Sequence, residues 1–181
     1  MAQPFRTVAP VRSCNKKYKD YLSYKPYLAN DFHHKCGYTD CSEIWFGGQR
    51  TFQIDHFKPE SKYPELINDY NNLVYCCSYV NRAKWNDESP NYLDPCNEDY
   101  NIHFERDNDG RIVGKTTQGK YMVEHMELNL TRYAIIWKLD RLKETIDKMK
   151  EVASPTKEIQ NQLDKFREDF YDYTQYLADN L

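Results

Sequence analysis

The segment from Phe52 to Lys84 constrains this chain more than any other. It reads Phe52-Gln-Ile-Asp55-His56-Phe-Lys-Pro59, then Asn71-Asn72-Leu-Val-Tyr75, then Asn81-Arg82-Ala-Lys84. Arg50–Asp55 is rich in β-branched and aromatic residues and predicts a short strand. Lys58–Asn72 holds two prolines and reads as a loop, Leu73–Cys77 as extended chain, and Tyr79–Lys84 as the start of a short helix. Successive side chains on a strand point to opposite faces. Asp55 and His56 can therefore serve one site only if the strand ends and bends where they stand.

These residue types match the needs of phosphodiester hydrolysis. That reaction requires a base for water and a divalent cation to stabilise charge on the phosphate and the leaving oxygen. His56 is the natural base, because the imidazole of histidine titrates near neutrality. Asp55 offers a hard oxygen suited to Mg²⁺ or Mn²⁺, and Asn81 a second, neutral oxygen. Asn72 can bond backbone groups and lock the loop that carries His56. Lys84 lies one turn beyond Asn81 on the same helix face and, with Arg82, is a candidate phosphate contact. Each residue taken alone has a structural reading; the ordered combination favours catalysis.

The segment resembles the HNH endonuclease motif, a ββα-metal unit. Asp55-His56 corresponds to the first signature, Asn72 to the middle position and Asn81 to the last. The resemblance implies that His56 is the general base, Asp55 and Asn81 bind one divalent metal, and Asn72 is structural. Many proteins of this family also carry a structural zinc knuckle. Here Cys36 and Cys41 form a first pair and Cys77 supplies one ligand of a second, but Val80 stands where its partner is expected. Cys36, Cys41 and Cys77 are thus candidate zinc ligands, with burial as small hydrophobes the alternative.

The expected fold is α+β. A small HNH core with a following hairpin occupies residues 36–115. A basic N-terminal helical arm occupies 1–35, and a C-terminal antiparallel helical hairpin lies within 116–181. In the arm, residues 16–32 predict a helix broken near Pro26, and seven Lys or Arg against two Asp give residues 1–35 a local charge of +5. This arm is a candidate phosphate contact or a solvated surface. Asp-Asn-Asp-Gly between Ile102–Arg106 and Arg111–Lys115 signals a hairpin. Thr117–Leu128 and Thr131–Val152 predict helices. Ser154-Pro155 reads as the cap of a last one, whose Ile159, Leu163, Phe166, Phe170, Tyr173 and Leu177 share a face.

The 181 residues, 40% of them hydrophobic, suffice for a buried core. No apolar run is long enough to span a membrane, and no signal-peptide pattern opens the chain, so a cytoplasmic location is the default expectation. The net charge of −3 excludes a global basic field for nucleic acid.

The flanks, Tyr92-Leu-Asp-Pro-Cys96 and Ile135-Ile-Trp137 among them, are similar to HNH nucleases of Septu-type and retron-associated bacterial anti-phage defence systems. That resemblance implies DNA as substrate, with RNA still open, and a partner ATPase of the ABC/SMC-like kind. The competing expectation is a non-catalytic scaffold that keeps the HNH fold.

Overall fold

The structure, a computed structural model, describes residues 2–180; Met1 of the expected arm and Leu181 of the expected C-terminal region lie outside the described residues. The fold is α+β. In chain order the elements are β1 (Gln3–Pro4), α1 (Lys25–Asp31), β2 (Phe52–His56), β3 (Leu73–Cys77), α2 (Ser78–Lys84), α3 (Tyr100–His103), β4 (Phe104–Arg106), β5 (Ile112–Gly114), α4 (Thr117–His125), α5 (Thr131–Lys150) and α6 (Lys157–Asp179).

β2 and β3 pair antiparallel, with Phe52 opposite Cys77, Asp55 opposite Val74 and His56 opposite Leu73. β3 runs straight into α2, which packs on both strands to complete a ββα unit. Every residue of β3 is buried, with α1 and α2 both packed against it. A strand covered on both faces reads in sequence as an unbroken apolar run, as Leu73–Cys77 does. The expected hairpin forms as β4 and β5, and β1 adds to its other edge.

The N-terminal arm differs from expectation. It is woven into the core: Phe5 is buried against Tyr100 and Phe104. Arg6 is buried too, donating to the carbonyls of Gly37 (2.7 Å) and Pro95 (3.4 Å). Arg12 pairs with Asp94 at 3.0 Å. Two of the seven basic groups expected to meet phosphates or solvent thus serve internal structure, because a guanidinium satisfies several acceptors at once. Pro26 does not break a helix. It sits in the first turn of α1, where its missing N–H costs nothing, so α1 starts at Lys25. Likewise Thr156, not Ser154, caps α6, its hydroxyl accepting from the Ile159 N–H at 3.3 Å.

One hydrophobic cluster runs from Phe5 to Leu177, so arm, core and C-terminal helices share a single interior. α5 and α6 lie antiparallel: Lys138 sits over Tyr173, whereas Ile146, further along α5, shares a groove with Arg167, earlier in α6. Leu163 and Leu177 are buried and Phe170 meets Trp45, so the apolar stripe of α6 is used within the chain. Among the described residues, no helix is long and apolar enough to cross a membrane.

Candidate active site

A cleft of about 210 Å³ opens at the end of β2. Asp55, His56 and Asn81 all line it, joined by Tyr21, Glu60 and Trp85. The opposed directions of neighbouring strand residues are reconciled because the cleft lies across the terminus of β2, and the chain bends directly after His56.

The His56 ring is held from several sides. Its Nε2 lies 3.0 Å from the Ile67 carbonyl oxygen. A carbonyl only accepts, so Nε2 bears the proton and the neutral ring presents a bare Nδ1. Nδ1 is 3.7 Å from the Glu60 carboxylate. The Tyr21 ring meets the imidazole edge-on with centroids 4.7 Å apart. Asn72 is buried beside this loop. Its Oδ1 accepts from the Lys58 N–H (2.8 Å), and its Nδ2 donates to the carbonyls of Lys58 (3.0 Å) and Leu66 (3.4 Å). One side chain therefore ties the start of the loop after His56 to its end.

Asp55 is 4% exposed. Its Oδ2 accepts from the Tyr38 hydroxyl at 2.6 Å and its Oδ1 from Lys84 Nζ at 3.0 Å. Burial raises its pKa, and the nearby ammonium and phenol only partly offset this. The reading of Lys84 as a phosphate contact is corrected: Lys84 is fully buried, and Nζ also donates to the His56 carbonyl at 2.9 Å. The aliphatic stem follows the packed face of α2 inward, and the charge finds its partners at the end of β2. Arg82, on the exposed side of α2, remains accessible, its Nε donating to the Ser78 carbonyl at 3.3 Å.

Tyr38, Glu60, Tyr21 and Trp85 were not legible as site residues. Tyr38 and Tyr21 are distant in sequence and carry no motif. Glu60 lies four residues after His56, a spacing that could have pointed to it.

The donors at the cleft suit a hard divalent ion. Asn81 Nδ2 donates to Gln53 Oε1 at 2.8 Å, and among the described residues its Oδ1 accepts no hydrogen bond. Each Asp55 oxygen is used once and keeps a lone pair. The cleft lining includes two carboxylates and no lysine or arginine; Lys84 behind it offsets Asp55, and the charge of Glu60 still calls for added positive charge when a phosphodiester enters. With one carboxylate and one amide oxygen, this arrangement is distinct from a cluster of acidic, His or Cys ligands. Among the described residues, no group of three or more His, Cys, Asp or Glu is placed to hold a metal.

The cysteines fit zinc less well. Cys36, Cys41, Cys76 and Cys77 are buried as free thiols. Burial pushes the Cys36 thiol up, but hydrogen bonds from Cys77, Thr39 and the backbone outweigh it and bring it down to about 6. Burial pushes Cys41 up to about 12, and its Sγ lies 3.7 Å from the carbonyls of Thr39 and Tyr133. Val80, at the position where a fourth ligand was expected, is fully buried and offers none, and among the described residues Cys36, Cys41 and Cys77 are not grouped to hold a metal.

No family model matches this chain, and no curated protein is significantly similar to it.

Proposed function

We propose that the protein is a metal-dependent endonuclease of the HNH type that hydrolyses phosphodiester bonds of DNA. The observation that carries this reading is the His56 ring, tied at Nε2 to the Ile67 carbonyl and lining one cleft with Asp55 and Asn81. Water gives its proton to Nδ1 as its oxygen attacks the phosphorus, the P–O bond to the leaving oxygen breaks, and that oxygen takes a proton from solvent. The Glu60 carboxylate, 3.7 Å away, stabilises the imidazolium that forms. Asn72 fixes the loop, while Tyr38 and Lys84 hold the Asp55 carboxylate in one orientation. Asp55 and Asn81 would hold Mg²⁺ or Mn²⁺, whose chemistry when bound is to stabilise charge on the scissile phosphate and the leaving oxygen. Arg82 contacts a phosphate outside the cleft. This chemistry does not read the sugar, so RNA is a second candidate substrate.

The test is cleavage of supercoiled plasmid with Mg²⁺, Mn²⁺ or EDTA, with His56→Ala run in parallel. Metal-dependent nicking or linearisation is expected, reduced by about 10²-fold or more in the variant. Unchanged cleavage by His56→Ala refutes the assigned base.

A non-catalytic scaffold is the second reading. It is favoured by one observation, the neutralisation of Asp55 by Lys84 within the protein. Absence of metal-dependent cleavage on DNA and RNA alike, with the co-purifying ATPase present as well as without it, would select it.

The proposal extends to anti-phage defence beside an ABC/SMC-like ATPase. The net charge of −3 supports a partner that supplies affinity for nucleic acid. With the apolar stripe of α6 covered by α5, docking falls to the side of α6 where Tyr171 is exposed. Co-purification of an ATPase with the native chain, lost on Tyr171→Glu, tests this part.

A further inference from the structure

Trp85 is the most exposed large hydrophobic residue described, at 73%. It lines the same cleft as His56 and Asn81. Its backbone has φ 49° and ψ −136°, in the left-handed half of conformational space where bulky side chains are outliers. The main chain needs this geometry to leave α2: the Trp85 N–H closes the helix on the Asn81 carbonyl at 3.0 Å. A glycine would adopt it freely. Tryptophan here therefore carries backbone strain and exposes an indole, with little burial to favour either. Strain retained next to a cleft, on a side chain that folding does not require, points to a ligand.

The surroundings indicate its chemistry. Asn81, on the last turn of α2, lines the cleft with a free amide oxygen among the described residues. Asn86, beside Trp85, also lines the cleft. A flat aromatic surface flanked by amide groups suits a nucleobase, which stacks on the ring and bonds through its edge. A base inside a duplex has both faces covered by its neighbours, so only an unpaired base can lie on an indole.

We infer that Trp85 is a stacking platform for an unpaired nucleobase at the mouth of the His56 cleft, and that the protein prefers single-stranded nucleic acid. This rests on reading the cleft as a nuclease site, and the experiment separates the two.

Binding of labelled oligonucleotides to the intact chain is measured by fluorescence anisotropy in EDTA, so that cleavage does not intervene. The probes are single-stranded DNA, single-stranded RNA, duplex DNA, and single-stranded DNA made wholly of abasic residues. Trp85→Gly removes the ring and relieves the backbone, so its melting temperature should equal or exceed that of the native chain. Trp85→Phe keeps a ring.

Trp85→Gly is expected to weaken single-strand binding roughly tenfold, with Trp85→Phe close to native and duplex or abasic binding unchanged. A loss on DNA only, or on RNA only, supports the inference and names the strand. Equal affinity of Trp85→Gly and the native chain for single strands overturns it, as does an equal loss on duplex and abasic strands. If Trp85 proves dispensable for binding while the plasmid is still cut, the inference fails and the nuclease stands. If the ring is needed for binding but nothing is cut with any metal, the nuclease reading fails and the platform stands.

Discussion

Lys84 and Asp55 form an ion pair 3.0 Å long, with side chains 0% and 5% exposed, linking the end of α2 to the end of β2. The same ammonium caps the His56 carbonyl. One side chain thus holds both residues of the Asp-His pair, joining them to the helix that carries Asn81.

Removing one member of a buried pair leaves the other charge uncompensated. Lys84→Met is expected to destabilise the fold by about 3–5 kcal/mol at neutral pH. The loss should shrink in acid, because the raised pKa of Asp55 lets it become a neutral carboxylic acid that needs no partner. Adding Asp55→Asn to Lys84→Met should recover part of the stability. Urea denaturation of the native protein and both variants at neutral and acidic pH measures this, and a pH-independent loss would contradict it.

Asn72→Ala leaves the Lys58 N–H and two carbonyls short of partners. A stability loss of roughly 1–3 kcal/mol is expected from the unsatisfied buried groups. Because the released loop also carries the Ile67 carbonyl that orients His56, kcat should fall more than KM rises. A variant with native kcat would show that this brace has no part in placing the base.

Asp140 lies far from the cleft and gives a pH signature of the fold alone. Burial raises its pKa, only partly offset by the Trp45 indole N–H at 2.7 Å and the backbone of Ser42. A carboxyl whose folded pKa lies above its unfolded value contributes stability that is complete below the unfolded value. That contribution is lost as pH rises through the folded one. Native protein should lose this component on going from acid toward neutral pH, and Asp140→Asn should lack it. Urea midpoints of both proteins across that range, compared as a difference, test the sign.

Local order in the chain was enough to place β2, β3 and α2, since a β-branched run, an apolar run and an Asn-Arg-Ala-Lys stretch each carry their own periodicity. Asp55, His56 and Asn81 were legible as one group by residue type and order, and the structure gathers them along one cleft. Local sequence misplaced the starts of α1 and α6, where a proline and two hydroxyl residues on either side of Pro155 allow neighbouring solutions and packing selects one. It also carried no sign that Arg6 and Arg12 turn inward, that Tyr38 reaches Asp55, or that Lys84 is buried. Those outcomes depend on which acceptors lie opposite a side chain once distant segments meet. Charge patterns along the chain record only that a cation exists; burial and its partners, which decide whether it binds a phosphate or braces a carboxylate, arise in three dimensions.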